Sequence, residues 1–354
     1  MDTGMRTAVV VHGPEAVDSG LALEVIRRAA MIGEVRARVG GATAVAAVID
    51  SGLEDVIAHD SRELPSTAIR QMAAEADVVV LVNYGKDRDS ALGFGRLVMT
   101  KVLPISAAVV QVDNGLSIIW SADDPLLHRI LPLTIGEVLD LRGSVETADL
   151  TVRRLSGVRN GEFVWINGHV IGRALRDEVV LSQTPSGELR AEGLTIKPTG
   201  VERLGDFDIR TAIVRSGQVR RTSGRPRSLR SLGNAVCIID HCAEESVFRC
   251  RDASYVVTVG DDTSKIASAL LFRLGIPVIA ITDGDEDGIS KEEIFYPGSF
   301  LFRLEPGNDD LVGAEIKERC FAHADRIPLS MKIEEMAALV RTVSGKRLLW
   351  ERVF

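Results

Sequence analysis

The N-terminal part of the chain alternates short apolar runs with amphipathic segments. Thr7–Val11 and Asp77–Val82 have the length and composition of buried strands, and polar or glycine residues follow each of them. Between them, Leu21–Ala30 carries its apolar residues at helical spacing. This alternation predicts a mostly parallel sheet under helices. Further on, two apolar runs flank Asn114-Gly115, so we expect a hairpin at the sheet edge.

The pattern then changes twice. From 152 to 204 the chain shows short strand-like runs separated by turns, which predicts a small β barrel or sandwich with no helix longer than two turns. After it, strand-like runs at Ala235–Asp240, Tyr255–Val259 and Pro277–Thr282 alternate with helical segments, which indicates another parallel α/β unit.

These patterns predict an α/β protein in which two mostly parallel α/β domains are separated by a small β module. The predicted segments are an α/β domain with an edge hairpin (1–146), the β module (150–205), an arginine-rich connector (206–231), an α/β domain with acidic strand-end loops (232–326), and a C-terminal helix and tail (327–354).

Composition narrows the class of protein. The chain has 354 residues, 45% apolar and 26% charged, which is typical of a globular protein. A net charge of −8 argues against a general nucleic-acid binder. Four cysteines in so long a chain do not indicate a disulfide scaffold, and neither a signal peptide nor a membrane-length apolar run is evident. We therefore expect a cytoplasmic protein without a membrane partner; the sequence does not indicate its oligomeric state.

The candidate chemistry lies where three consecutive predicted strands end in acidic residues. Because the carboxyl ends of parallel strands meet at one edge of a sheet, these carboxylates are expected to converge there. Carboxylate oxygens suit Mg²⁺, and the cation would offset their mutual repulsion. The predicted metal ligands are Asp240, Asp261, Asp262, Asp283 and Asp285, of which Asp261 and Asp283 are also the predicted catalytic residues. Gly260, Thr263 and Ser264, at a predicted helix start, are expected to contact phosphate. The alternative is that the acidic residues only cap helices and face solvent.

The connector is the second candidate element. It contains six arginines and no lysine within sixteen residues: Arg215, Arg220, Arg221, Arg225, Arg227 and Arg230. The guanidinium group suits phosphate oxygens, so we expect Arg220 and Arg221 to contact the anionic part of a ligand. A solvated linker that pairs with the acidic body of the protein explains the same composition.

Two stretches carry resemblances to known families. Tyr255–Thr263, with Gly275-Ile276-Pro277 and Ile279–Asp283 after it, resembles the core of the archaeal GTP-dependent dephospho-coenzyme A kinases, which are related in fold to thiamine pyrophosphokinases. That resemblance implies loop aspartates, here Asp261 and Asp283, that handle a nucleotide with Mg²⁺. As a whole, with His12-Gly13-Pro14 and Gly260–Thr263 among its marks, the chain resembles an uncharacterised archaeal family best known from methanogens.

The leading hypothesis is an Mg²⁺-dependent enzyme that transfers a phosphoryl or pyrophosphoryl group, with a nucleotide or phosphorylated small molecule as partner. One alternative is a non-catalytic metabolite-binding or regulatory protein with a structural cation. The other is a nucleic-acid enzyme similar to the Toprim domains, in which the arginine-rich connector would bind the nucleic acid. A nucleic-acid partner is not favoured.

Overall fold

The computed structural model describes residues 4–41, 43–60, 63–145, 151–155, 157–217, 225–229, 233–240, 243–284 and 294–354. The predicted site residues Asp285, Arg220 and Arg221 lie outside the described residues. The chain forms two compact units. The first comprises Met1–Ile166 and Val170–Arg225, and the second comprises Asn167–His169 and Pro226–Phe354.

The first unit contains a six-stranded sheet in the order β2-β1-β3-β4-β5-β6. The neighbouring strands β2, β1, β3 and β4 are parallel to one another. Strand β5 pairs antiparallel with β4, and β6 is parallel to β5. The β4–β5 connection is the predicted turn at Asn114-Gly115, where Gly115 has a φ of 70°. The strands are β1 (Met5–Val11), β2 (Gly33–Val39), β3 (Val78–Val82), β4 (Ala108–Asp113), β5 (Leu116–Ser121) and β6 (Glu137–Asp140).

Six helices accompany this sheet in the described part of the chain. They are α1 (Pro14–Asp18), α2 (Leu21–Ala30), α3 (Ala44–Asp50), α4 (Pro65–Ala73), α5 (Arg88–Val102) and α6 (Asp124–Ile130), and a 3-10 turn follows at Leu131–Leu133. The central strand β3 is Val-Val-Val-Leu-Val and is buried along its whole length. A strand covered on both faces needs such a continuous apolar run, which explains why the sequence marks β3 so clearly.

The same unit also contains seven short strands in two small sheets. They are β7 (Val152–Leu155), β8 (Phe163–Ile166), β9 (His169–Ala174), β10 (Val179–Gln183), β11 (Leu189–Glu192), β12 (Leu194–Ile196) and β13 (Val214–Ser216). The sheet orders are β11-β10-β7 and β12-β9-β8-β13. Helix α7 (Pro198–Leu204) has seven residues, about two turns. A shared apolar core that includes Val164, Ile171 and Leu181 fills this region.

The second unit is built on another six-stranded sheet, in the order β18-β14-β15-β16-β17-β19. The four central strands are parallel, and β18 and β19 are antiparallel edge strands. The strands are β14 (Ala235–Asp240), β15 (Ala253–Val259), β16 (Val278–Thr282), β17 (Phe300–Leu304), β18 (Arg326–Pro328) and β19 (Leu348–Val353). The helices are α8 (Ala243–Ser246), α9 (Asp261–Arg273), α10 (Asp309–Phe321) and α11 (Ile333–Ser344), with 3-10 turns at Val247–Cys250 and Gly345–Arg347.

The predicted fold class is confirmed, because both large sheets are mostly parallel and lie under helices. The segment that the sequence set apart as a C-terminal helix and tail contributes α11 and β19. Helix α11 packs Met336 and Val340 into the core of the second unit, and β19 pairs with β17. Met336 and Val340 are four residues apart, the spacing that places two side chains on one face of a helix.

Candidate functional site

The acidic strand ends of the second unit lie along one edge of its sheet. Strands β14, β15 and β16 are adjacent and parallel, so their carboxyl ends share that edge. Asp240 is the last residue of β14 and is exposed. Asp261 begins α9 directly after β15, and Asp283 follows β16.

Three buried carboxylates meet at this edge. Asp261, Asp283 and Asp309 each have an oxygen atom within 4.8 Å of the other two. The residues are 4%, 3% and 5% exposed, respectively. Burial of several carboxylates so close together is costly unless each is hydrogen-bonded or offset by positive charge.

Asp261 is bonded through both of its carboxylate oxygens. Oδ2 accepts hydrogen bonds from the backbone N–H of Asp283 at 2.9 Å and of Gly284 at 2.7 Å. Oδ1 accepts a charge-assisted bond from Nη1 of Arg303 at 2.9 Å. Asp261 therefore ties the start of α9 to the loop after β16 and to β17.

The other two carboxylates hold the turn between β17 and α10. Asp283 accepts a hydrogen bond from the backbone N–H of Gly307. Asp309, the first residue of the thirteen-residue helix α10, accepts from the N–H of Asp310 at 2.8 Å. Negative charge at a helix N-terminus is favourable because it faces the positive end of the helix dipole.

Arg303 adds positive charge to the cluster, and its guanidinium lies close to the backbone of Gly284. Its side chain is 23% exposed, and its guanidinium lies 5.7 Å from the ring centre of Trp350. Gly284 has a φ of 93°, and a Cβ at that position would lie 2.7 Å from Nη1 of Arg303. The backbone conformation at position 284 therefore favours glycine, and a larger residue would displace the guanidinium of Arg303.

The cluster suits a hard divalent cation. Oxygen ligands on opposite sides of Mg²⁺ are about 4.2 Å apart, and around Ca²⁺ about 5 Å apart. The three carboxylates, each with an oxygen within 4.8 Å of the other two, are therefore close enough together to share one cation. Arg303 offsets one carboxylate charge, and a cation would offset the charge of the other two.

The remaining predicted residues have different surroundings. Asp262 is half-buried in the first turn of α9 and, like Asp240, does not belong to the group within 4.8 Å. Gly260 has a φ of 98° and donates its N–H to the carbonyl of Ile281 at 3.0 Å. Thr263 is buried at the helix start.

Ser264 faces the core of the second unit. It is 1% exposed, and its hydroxyl is 2.8 Å from that of Thr258 on β15. The hydroxyl of Ser264 already has a hydrogen-bond partner in the protein, so its predicted contact with phosphate has no support in this arrangement.

Sequence reasoning missed Asp309 and Arg303 because it did not recognise β17. A signal was present: the apolar run Phe300–Leu304 is followed by Pro306-Gly307-Asn308, a turn and helix-start pattern, and then by Asp309. Arg303 interrupts this apolar run, and the run is therefore difficult to recognise as a buried strand.

The fold and this site define a multi-sheet α/β protein with a buried carboxylate cluster at the strand ends of its second unit. The chain belongs to the family described as "Uncharacterized protein conserved in archaea (DUF2117)", which matches residues 9–324. It is 32% identical over 327 residues to the uncharacterised protein MJ0065 of Methanocaldococcus jannaschii, covering 87% of this chain and 90% of that protein. No solved structure gave a significant match.

These comparisons confirm the predicted membership of an uncharacterised archaeal family. The resemblance of the C-terminal segment to the dephospho-coenzyme A kinases stays a prediction. Within the described residues, no helix combines the length and apolar character that a membrane span requires.

Proposed function

We propose that the protein is an Mg²⁺-dependent enzyme that handles a nucleotide or a phosphorylated small molecule, with transfer of a phosphoryl or pyrophosphoryl group. The observation that carries the proposal is the group of three buried carboxylates, Asp261, Asp283 and Asp309, at the strand ends of an α/β sheet. Ligands of such sheets bind outside the carboxyl ends of the strands.

The three carboxylates would have different roles. Asp283 and Asp309 would be the main ligands of the cation, while Asp261, which already accepts three hydrogen bonds, would hold the loop after β16 in place. When bound, Mg²⁺ would neutralise charge on phosphate oxygens. Arg303 is close enough to the cluster to stabilise further negative charge on a phosphate.

The bonding of Asp261 also supports a second candidate, a non-catalytic metabolite-binding protein in which the cation is structural. A carboxylate whose two oxygens both bind the protein is well suited to hold loops together. The two candidates differ in whether a bound nucleotide is chemically changed.

The test is a thermal-shift screen of nucleoside di- and triphosphates, with Mg²⁺ and with EDTA, followed by ³¹P NMR of every nucleotide that binds. We expect at least one nucleotide to raise the melting temperature only with Mg²⁺. Asp283→Asn should abolish this shift. Asp310→Asn, which removes an exposed charge beside the cluster, should keep it.

The NMR spectra separate the two candidates. Appearance of a new phosphate species with the wild type, but not with Asp283→Asn, supports the enzyme. A Mg²⁺-dependent shift without any phosphate product supports the binding protein. A screen in which no nucleotide gives a Mg²⁺-dependent shift contradicts a nucleotide as the ligand of either candidate, and the same screen with sugar phosphates then tests the phosphorylated small molecule.

A further inference from the structure

The first unit has its own topological switch point at the carboxyl ends of its strands, independent of the carboxylate cluster. In its sheet, β1 has β2 on one side and β3 on the other, so the direction of winding reverses between β1 and β3. Open α/β sheets bind ligands at such a switch point. His12 directly follows β1 and Asn83 directly follows β3, so both lie at this point.

A buried hydrogen-bond chain connects the two residues to Asp113. Asp113 is 1% exposed and accepts from Nδ2 of Asn83 at 2.7 Å, from the N–H of Gly85 at 2.6 Å and from the N–H of Asn114 at 3.0 Å. With these N–H groups directed at it, the carboxyl group acts only as an acceptor. Asn83 must therefore turn its amide NH₂ to Asp113 and its carbonyl oxygen away from it.

That orientation fixes the proton on His12. Oδ1 of Asn83 lies 2.9 Å from Nδ1 of His12, and because this oxygen can only accept, Nδ1 must carry the proton. Burial also lowers the pKa of His12, which favours the neutral ring. In a neutral ring protonated at Nδ1, Nε2 has a free lone pair. No described residue donates a hydrogen bond to Nε2.

Two residues lie next to the imidazole of His12. Phe94 stacks on it with 4.3 Å between ring centres, which fixes the ring plane. Gly41 has a φ of 103°, and a Cβ there would be in van der Waals contact with Cδ2, the carbon next to Nε2, at 3.7 Å. Glycine at position 41 therefore leaves the space of a Cβ free beside that carbon.

The loop after β3 is fastened to the region of the short strands in the same unit. Lys86, three residues after Asn83, forms an ion pair with Glu162 and donates to the carbonyl of Gly157 at 3.1 Å. On β13, the guanidinium of Arg215 stacks 4.2 Å from the ring centre of Trp165.

We propose that this strand edge is a second ligand site, in which Nε2 of His12 accepts a hydrogen bond from a hydroxyl group of a small molecule. Asn83 and Asp113 act as positioning residues, since they fix which nitrogen of His12 is the acceptor. The ligand class is a small hydroxyl-bearing metabolite, and the three compounds of the experiment share that hydroxyl group.

The first measurement needs no variant. Long-range ¹H–¹⁵N correlation spectra of the full-length ¹⁵N-labelled protein report the tautomer of each histidine side chain. At neutral pH we expect His12 to be neutral, with a protonated Nδ1 and an unprotonated Nε2. A proton on Nε2, or a doubly protonated ring, would overturn the proposal.

The second measurement adds ribose 5-phosphate, glycerol 3-phosphate or malate at millimolar concentration and follows the His12 signals. We expect at least one of these anions to shift them, and His12→Gln to weaken that binding by about three- to tenfold, the effect of one hydrogen bond. The exposed His128 supplies the matched control His128→Gln, which should bind like the wild type. Absence of a shift with all three anions, or equal binding by the two variants, would refute the site.

Discussion

The electrostatics of the carboxylate cluster make a prediction whose sign depends on the cation. The three carboxylates each have an oxygen within 4.8 Å of the other two, and two unit charges at that separation repel by about 3.5 kcal/mol at an effective dielectric constant of about 20. In the double variant Asp283→Asn/Asp309→Asn this repulsion is removed, and an asparagine oxygen can still accept the N–H of Gly307. The weaker neutral acceptors offset part of the gain, by about 1 kcal/mol each. We therefore expect the variant to be more stable than the wild type in EDTA, by about 1–2 kcal/mol.

Mg²⁺ should reverse this order. A cation at one hundred times its dissociation constant stabilises the wild type by about 2.7 kcal/mol, and the variant, which lacks two of the three carboxylates, does not gain this stabilisation. Melting temperatures in EDTA and in millimolar Mg²⁺ measure both effects, and about 1 kcal/mol corresponds to a shift of several degrees for a unit of this size.

The control for this experiment is Asp310→Asn, which changes one exposed charge in the same turn of α10. It should follow the wild type in both buffers, within about 0.5 kcal/mol. If the double variant and the wild type respond equally to Mg²⁺, the three carboxylates do not form a cation site. If the double variant is less stable in EDTA, hydrogen bonding outweighs repulsion and the electrostatic argument is wrong.

Three further predictions concern other ion pairs. Arg303→Met leaves a buried carboxylate without its guanidinium partner and should cost about 3 kcal/mol in urea unfolding of the second unit; an unchanged midpoint would contradict this. Lys86→Met and Glu162→Met should each destabilise the first unit, and the double variant should lose less than their sum, by about 1 kcal/mol or more; strict additivity would mean that the two charges do not interact. The hydrogen bonds from Arg326 lower the pKa of Asp252, so this exposed pair stabilises the fold, by less than about 1 kcal/mol, above the ordinary aspartate pKa. The difference in melting temperature between the wild type and Asp252→Asn should therefore fade as the pH falls through the lowered pKa, and a difference that persists in acid would refute this origin.

The elements that the sequence predicts most clearly are those in which burial and turn residues favour the same local structure. Strand β3 is uniformly apolar, and the β4–β5 hairpin has Asn-Gly at its turn, so local patterns specify both of them. Ala235–Asp240 was predicted with the bounds that β14 has in the structure. In these cases the local sequence and the tertiary environment favour the same conformation.

The site was only partly predictable because it depends on contacts between distant residues. Asp261 and Asp283 could be paired from the rule that parallel strands end at one edge. The third carboxylate, Asp309, comes from the start of α10, and its position requires β17 to be known as a neighbour of β16. Arg303 interrupts the apolar run of β17 because its side chain serves the carboxylate cluster. A functional residue of this kind weakens the pattern that would locate it.

The three tryptophans give the two proposed sites separate optical reporters. Trp165 is 4% exposed and lies under Arg215 in the first unit, whereas Trp350 is 46% exposed and lies beside Arg303 in the second. An aqueous quencher such as iodide should reach the indole of Trp350 far more readily than that of Trp165 or of the buried Trp120. A ligand at the carboxylate cluster would then alter the quenchable part of the fluorescence, and a ligand near His12 the protected part. Unlabelled protein in a single cuvette could thus report which of the two sites a given compound occupies.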